Sequence, residues 1–401
     1  MSEVVNIPQL RFPEFETDWE KEKLKNVSTY FNGGSFENDV QVEGRYELVT
    51  LKSINMSGSL VHSKRFIEIE VSTLSKNTLV MILSEQSPGL LGMTALIPID
   101  NKYVLNQRVA EIRPNDNVDS YFLSMSINRN QRYFGKHGAG TKVQNLSKPN
   151  VENYEFLCPT KPEQQKIAAF LTAVDNKIEQ LSKKQELLGE YKKGLMQQIF
   201  SQAIRFQADD GSTFPDWEEQ KVGSFMVERN KKSPKSEAYP LMSFVARKGV
   251  TEKGERYNRE FLVNDEGGKK YKQTEYGDFI YSSNNLETGS IGLNKYGAAT
   301  ISPVYSIFQI TDTCNYEFVS SFLVTKSFIH KMVRFRQGVV YGQWRIHESD
   351  FLKIQVKLPS LEEQTKIANF LSSIDNKIEQ VGKQLDESKQ FKKALLQQMF
   401  V

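Results

Sequence analysis

The chain has 401 residues, of which 39% are apolar and 25% charged, so it can bury real cores and is too apolar to be a disordered chain. Its longest apolar run, within 78–83, is about six residues, far short of the ~20 that a membrane helix needs. Its 52 basic and 49 acidic residues nearly balance, so only the distribution of charge can indicate a nucleic-acid partner.

The start, MSEVVNIPQL, has neither the basic nor the apolar region of a signal peptide. Cys158 and Cys314 are too few for a disulfide framework or a cysteine zinc site, and the four histidines show no close pairing. We therefore expect a cytoplasmic protein with no metal site and no contact with a membrane.

The first globular part opens on FPEFETDWEKEKL at 12–24. Trp19 in this motif is interpreted as a structural anchor that joins the globular part to a helix. Strand-like runs follow at 45–51, 64–71 and 77–83, and a helical pattern spans about 119–134.

A basic window lies near the end of this part, because no acidic residue occurs between Asp119 and Glu152. Acidic residues would oppose the phosphate neutralisation that drives DNA affinity. Arg pairs with guanine, and Gln or Asn pairs with adenine, in the major groove. A solvated helix face and ordinary turns are the alternative interpretation. The candidate DNA contacts here are Gln86, Arg108, Arg129, Arg132, Lys136, Lys142, Gln144 and Asn145.

A long helix is predicted from 159 to 204, since apolar residues alternate at spacings of four and three, as in a coiled-coil seam. Polar residues at Gln185 and Lys192 interrupt this seam, and the breaks leave room for partner helices. The first helix contributes the seam residues Ile167, Leu171, Val174, Ile178 and Leu181.

The second globular part opens on FPDWEEQKV at 214–222, with Trp217 as its anchor, and shows strand-like runs at 277–283 and 302–310. Between Glu317 and Glu348 there is again no acidic residue. At helical spacing, Phe318, Phe322, Phe328 and Phe335 are expected in the core. The candidate DNA contacts are Asn284, Asn285, Lys331, Arg334, Arg336, Gln337, Tyr341, Gln343, Trp344 and Arg345.

A second long helix over 359–401 repeats the first at an offset of 200 residues. Between 159–200 and 359–400, 21 of 42 positions are identical. Polar residues also break this seam, at Ser388 and Lys392. The chain is therefore two copies of one unit, each an opening motif, an α+β globular part and a long helix. The second seam consists of Ile367, Leu371, Ile374, Ile378 and Val381.

Sequence motifs for catalysis are missing. There is no GxxxxGK[ST] phosphate loop and no Asn/Asp-Pro-Pro-aromatic run of the kind that positions a flipped base. PDWEEQK at 215–221 places its acidic residues too close together for one nuclease metal site.

The repeated helix P-x3-EQ-x-KIA-x-FL-x3-DNKIEQ, followed by KKGLMQQIF in the first copy, with an opening motif from FP to Trp before each unit, resembles the specificity subunit of type I restriction-modification systems. The resemblance implies an α+β fold with two similar globular target recognition domains joined by two long antiparallel coiled-coil helices in a pseudo-twofold internal repeat. The domains would be 1–158 and 205–358, and the spacer helices 159–204 and 359–401.

The same resemblance implies that each recognition domain reads one half of a split double-stranded DNA site. The spacer helices would set the gap between the two half-sites and dock two modification (methyltransferase) subunits, through Gln164–Phe200 and Gln364–Phe400. Two restriction (motor-nuclease) subunits would be added for cleavage. The chain itself would need no cofactor, since S-adenosylmethionine, ATP and Mg would be bound by the partners. A coiled-coil adaptor that binds no DNA and a self-contained methyltransferase or nuclease remain the alternatives.

Overall fold

The computed structural model describes residues 7–85, 89–252, 269–339 and 343–401, which divide into two compact units. The first unit comprises the chain up to Lys183 together with Gly382–Val401, and the second comprises Lys184–Val381. Each unit therefore combines one globular part with segments of both long helices.

The first unit is built from short strands and helices that precede a long helix. Its strands are β1 Glu20–Lys23, β2 Ser28–Asn32, β3 Tyr46–Val49, β4 Phe66–Ile67, β5 Leu79–Ile82, β6 Ser84–Glu85, β7 Thr94–Leu96, β8 Tyr103–Leu105, β9 Val109–Pro114, β10 Gln144–Asn145 and β11 Glu155–Cys158. Its helices are α1 Leu24–Val27, α2 Ser120–Asn128, α3 Gln131–His137, α4 Lys148–Glu152 and α5 Lys161–Phe200, which continues into the second unit.

Four antiparallel strands, in the order β2-β9-β5-β7, form the main sheet of the first unit. All four residues of β5 are buried, because one face of the strand lies on the cluster around Phe122 and the other on a cluster around Val49. A second sheet, β4-β3-β8, contains the parallel pair β3–β8. The pair β1–β11 brings the opening motif beside the strand that leads into α5.

The second unit has the corresponding elements. Its strands are β12 Glu218–Lys221, β13 Met226–Glu228, β14 Lys232–Ser233, β15 Ser243–Val245, β16 Gly249–Thr251, β17 Tyr271–Thr274, β18 Phe279–Tyr281, β19 Ile291–Leu293, β20 Ala299–Ile301, β21 Ser306–Ile310, β22 Gln337–Val339, β23 Gln343–Arg345 and β24 Gln355–Leu358. Its helices are the 3-10 turn Val222–Ser224, α6 Tyr316–Leu323, α7 Lys326–Val333, α8 Glu348–Phe351 and α9 Leu361–Gln398.

The sheet order β13-β21-β18-β19 reproduces the order of the first unit's main sheet, and β12–β24 reproduces β1–β11. The units differ in the segment that follows their paired helices, which are α2 and α3 in the first unit and α6 and α7 in the second. In the second unit this segment forms the hairpin β22–β23, whereas in the first unit β10 pairs with β6. The predicted internal repeat and α+β class are confirmed in this common framework.

The two long helices run antiparallel in both units. In the first unit Asp175 of α5 pairs with Lys392 of α9 at 2.6 Å, and in the second unit Lys192 of α5 pairs with Asp375 of α9 at 2.6 Å. Lys192 and Lys392, two of the polar residues that interrupt the seam, thus form ion pairs with the facing helix of the same chain. The break at Ser388 instead borders a pocket between the helices, lined by Leu181, Gln384 and Phe391.

The predicted seam is divided between two packing partners. Ile167 and Leu171 lie in the first core with Trp19 and Phe122, and Ile367 and Leu371 lie in the second core. Val174, Ile178 and Ile378 are half-buried, whereas Leu181, Ile374 and Val381 are buried. The first turns of each helix therefore pack into the core of their own globular part, and Leu181 in the middle turns faces α9. The last turns also pack into a core, with Ile199 in the second and Leu395 and Met399 in the first.

The Glu-Gln pair at the start of each long helix ties that helix to its globular part. Glu163 is 1% exposed and accepts two bonds from Arg11, both at 2.8 Å, and one from Trp19 Nε1 at 3.3 Å. Gln164 Oε1 accepts the backbone N–H of Asp119 at 2.8 Å, and Asp119 caps α2. These contacts, called the clamp below, join the opening motif to α5 and join α5 to the start of α2.

The second unit repeats the clamp. Arg205 donates to Glu363 at 3.1 and 2.9 Å, and Gln364 Oε1 accepts the backbone N–H of Asn315, the cap of α6, at 3.0 Å. From the FP dipeptide to the tryptophan, the second opening motif lacks four residues of the first. Counted from the clamp arginine to the tryptophan, however, Arg205 to Trp217 is four residues longer than Arg11 to Trp19.

Local structure departs from the sequence patterns in three places. The run 64–71 forms a strand only at Phe66–Ile67. The helical pattern at about 119–134 breaks into α2 and α3, because the side chain of Asn130 accepts a backbone N–H group and starts a second helix. The helical spacing from Phe318 to Phe335 is likewise divided between α6 and α7, where Thr325 starts the second helix. Phe318 and Phe328 are core residues, but Phe335 is 36% exposed beyond the end of α7, so its expected core position is wrong. Across the described ranges, none of the helices is long and apolar enough to cross a bilayer.

Candidate nucleic-acid interface

The basic window of the first unit lies on α3 and the loop after it. Arg132, Lys136 and Lys142 are exposed, and within the described residues none of them has an ion-pair partner. Lys148 pairs with Glu152 at 3.5 Å. Three uncompensated cations on one short segment provide the charge that a phosphate backbone requires.

The loop after α3 folds back onto β6, the short strand that follows β5 of the main sheet. Gln144 pairs with Glu85 and Asn145 with Ser84, whose hydroxyl donates to Asn145 Oδ1 at 2.5 Å. Gly140 makes the fold-back possible, since it has φ +126° and a Cβ there would lie 2.0 Å from the carbonyl oxygen of Val143. Ser84 and Asn145, 61 residues apart in sequence, thus meet. Gln86 lies outside the described residues.

Arg108 and Arg129 have different surroundings. Arg108 is exposed at φ +67°, and its carbonyl accepts the N–H of Leu83 at 3.0 Å, which places it beside the strand end. Arg129 Nη1 donates to the carbonyl of Val401 at 2.6 Å and lies over the ring of Phe400. Burial lowers the pKa of Arg129 from its usual value, and its observed contacts hold the end of α9.

In the second unit the hairpin β22–β23 lies against loop 283–290, which follows β18. Asn284 Oδ1 accepts the backbone N–H of Trp344 at 2.6 Å, and Ser283 Oγ accepts that of Ile346 at 3.0 Å. Gln337 is paired with Arg345, so these side chains share one face of the hairpin with Gln343, whereas Trp344 points to the other. Trp344 is 49% exposed, and Asn285 is exposed in the loop. Tyr341 lies outside the described residues.

The cations of the second window are mostly held by the protein. Arg336 donates to Glu287 at 2.6 and 2.7 Å, and this pair lowers the pKa of the Glu287 carboxyl. Arg345 lies 3.6 Å from Glu348, and Lys331 donates to the carbonyl of Gln355 at 3.3 Å. Exposed Arg334 has no ion pair among the described residues.

Sequence reasoning missed Glu287 because it counted acidic residues along the chain and not in space. Glu287 is 49 residues from Arg336, and no sequence spacing signals their contact. Arg336 is only 11% exposed, so it joins loop 283–290 to the end of α7. Among the described residues, the structure brings Gln144 and Asn145 to the strand end at Ser84 and Glu85, and it brings the hairpin β22–β23 to loop 283–290.

The chain is similar to known proteins over most of its length. The family model described as type I restriction modification DNA specificity domain matches residues 16–188 and 215–388. Two relatives from Methanocaldococcus jannaschii, described as the specificity subunits of the type I restriction enzymes MjaX and MjaVIII, are each 23% identical. The match covers 98% and 96% of this chain, and 95% and 92% of theirs. The crystal structure of a type I restriction-modification S subunit from M. genitalium has a TM-score of 0.62 at 17% identity, covering 98% of this chain and 99% of that one, which shows a common fold.

Proposed function

Because this chain belongs to the type I restriction-modification DNA specificity family, we propose that its two units each read one half of a bipartite DNA site. The chain is the specificity subunit of such a system, and it is not the catalytic subunit. The two half-sites would differ in sequence, since the units share a framework but carry different side chains at their candidate interfaces.

One observation carries this proposal: in both units, the segment after the paired helices is hydrogen-bonded to the loop that follows a buried strand of the main sheet. The contacts are Ser84 with Asn145 in the first unit and Asn284 with Trp344 in the second. Both junctions expose amide side chains, and amides can read adenine in the major groove. The rigid sheet behind each junction fixes the position of these side chains.

The junctions also differ in charge. The first has the exposed cations Arg132, Lys136 and Lys142, which have no ion pair in the described part of the chain, whereas the second has Arg345 beside an exposed Trp344. Phosphate contacts fix the register of a protein on DNA, and base contacts give sequence preference. We expect the first unit to depend more on phosphate contacts and the second more on contacts to base edges.

The remaining parts of the proposal concern the partners. The antiparallel helices would set the gap between the half-sites and dock two modification (methyltransferase) subunits, and two restriction (motor-nuclease) subunits would join for cleavage. S-adenosylmethionine, ATP and Mg would be bound by those subunits. The exposed side chains of Leu187 and Tyr191 on α5, and of Phe391 on α9, supply apolar surface for docking.

The proposal is tested by methylome sequencing of cells that carry this chain with its modification subunit. The wild type should yield one bipartite motif. A chimera in which residues 20–158 are replaced by another recognition domain should change one half of the motif and leave the gap and the other half intact. The matched control is the reciprocal replacement of the second globular part, which should change the opposite half.

Other outcomes would contradict the proposal. A change of both half-sites in the chimera would mean that the units read DNA as one surface. Absence of any motif, combined with salt-insensitive behaviour towards duplex DNA, would favour an adaptor that binds only protein. Tight binding of S-adenosylmethionine by the purified chain alone would favour a self-contained methyltransferase.

A further inference from the structure

The turn between β15 and β16 adjoins loop 283–290 in the second unit. The turn consists of residues 246–248, and the backbone N–H of Arg247 donates to the carbonyl of Gly289 at 2.9 Å. Gly289 has φ +94°, and a Cβ there would lie 2.7 Å from Cγ of Arg247, so the stem of the arginine covers this glycine. One loop therefore contacts the hairpin β22–β23 through Asn284 and the basic turn through Gly289.

Loop 283–290 is held firmly between these neighbours. Leu286 is fully buried, and the carbonyl of Asn285 accepts the N–H of Ser290 at 2.9 Å. Glu287 is bound by Arg336 at the end of α7. The turn, the loop and the hairpin consequently form one connected surface.

The turn also provides the charge that the hairpin lacks. Arg336 and Arg345 face the carboxylates of Glu287 and Glu348, whereas Arg247 and Lys248 are exposed and have no ion pair within the described residues. Arg247 adopts φ +64°, a conformation that is uncommon for a residue with a side chain. The hydrogen bond to Gly289 stabilises this conformation, which fixes where the arginine stem starts.

We propose that Arg247 and Lys248 form a third DNA-contacting element, which binds the DNA backbone next to the half-site read by the second unit. This inference rests on the proposed function. Two adjacent exposed cations suit phosphate oxygens, and a turn held against the loop would set the register of the bases over Asn284 and Asn285.

The first unit has a turn at the corresponding place but no cations in it. Residues 54–60 form this turn, closed by a bridge between Ile54 and Leu60. Met56 lies there, 73% exposed, with its Cε 3.2 Å from the position that a Cβ on Gly89 would occupy. The tip of Met56 is thus near Gly89 in the first unit, and the basic pair is particular to the second.

The test uses the complex of this chain with its modification subunits and a duplex that carries the motif found by methylome sequencing. Both charges are removed in the variant Arg247→Asn with Lys248→Gln, because Asn tolerates a positive φ better than Ala does. The variant Arg247→Lys with Lys248→Arg keeps both charges. Lys295→Gln, which removes one exposed cation from a turn that follows β19, is the matched control.

We expect the neutral variant to bind the duplex about tenfold more weakly at low salt, with the slope of log K against log salt reduced by about one to two. The charge-retaining variant and Lys295→Gln should keep the wild-type slope. Equal slopes for the neutral variant and the wild type, with equal thermal stability, would overturn the inference while leaving the proposed function intact. Failure of the wild-type complex to prefer its motif over a scrambled duplex would overturn the proposed function and this inference together.

Discussion

At the scale of single residues, the surroundings of a cation decide what it can bind. Arg334 is exposed and unpaired among the described residues, Arg345 is 56% exposed near Glu348, and Arg336 is 11% exposed in its bond to Glu287. An unpaired cation is available to phosphate at once, whereas a paired one must first give up its carboxylate. The three arginines of one basic window therefore have different expected roles.

Substitution of any one of these arginines by Ala should leave the preference for the first half-site unchanged. Arg334→Ala should weaken binding uniformly across sequences and lower the salt slope by about one. Arg345→Ala should relax one position of the second half-site, at a cost of ~1–3 kcal/mol, if its guanidinium pairs with guanine. Methylome sequencing and salt titration of binding measure both effects.

Arg336→Ala should act through the loop, because it leaves Glu287 without its partner. The variant Glu287→Gln is the matched control, since it also breaks the ion pair but keeps the cation. Similar loss of preference in both variants would support a loop-holding role for Arg336. If all three arginine variants modify the wild-type motif at the wild-type rate, the second basic window is wrongly assigned.

At the scale of elements, the first turn of each long helix is the point where the helix is fastened to its globular part. In the clamp from Arg11 to Glu163 and in its counterpart from Arg205 to Glu363, the carboxylate is only 1% exposed, whereas the arginines are 11% and 27% exposed. Exposed ion pairs contribute little to stability, whereas the loss of one partner from a buried pair leaves a charge without compensation. The clamps should therefore contribute much more to stability than the neighbouring surface pairs.

Arg11→Met should destabilise the first unit by about 3 kcal/mol, because it leaves the buried carboxylate of Glu163 unpaired. The matched control is Lys166→Met, which removes an exposed ion pair with Glu14 on the same turn of helix and should cost about 1 kcal/mol or less. Adding Glu163→Gln to Arg11→Met should restore part of the loss. Urea unfolding measures all three, and equal effects of the two Met variants would contradict a clamp role.

At the scale of the whole molecule, we expect the length of the helices to determine the gap between half-sites. Four extra residues lengthen a helix by ~6 Å, and base pairs are spaced by ~3.4 Å. Four residues also interrupt the heptad pattern, so part of this length is lost to local unwinding. Each added base pair also turns the far half-site by about 34–36°, and the complex has to accommodate that rotation.

Insertion of four residues after Gln180, in α5, should lengthen the gap by one or two base pairs and leave both half-site sequences unchanged. The matched control is an insertion of four residues after Gly211, an exposed turn that also connects the two globular parts but lies outside the helix. This control should keep the wild-type gap. Methylome sequencing reads both, and an active helix insertion with an unchanged gap would mean that the helices do not set it.

The sequence by itself determined the features that depend on local order. The identity between 159–200 and 359–400 established the repeat, and the four-three spacing of apolar residues predicted both long helices. The opening motif indicated that Trp19 is an anchor, and its contacts with Glu163 and Phe122 agree with this interpretation. Periodicity and repetition are properties of neighbouring residues, so they can be read without knowing the fold. The class of the globular parts followed from the same patterns.

Only the tertiary structure decided which distant residues meet. Arg336 contacts Glu287 across 49 residues of sequence, and Arg247 contacts Gly289 across 42. Neither contact can be inferred from composition or from residue spacing. The division of the chain into units that each take part of both helices has the same origin. Folding brings such groups together through the sheets between them, so the availability of each cation for DNA depends on contacts that a linear count of charges does not contain.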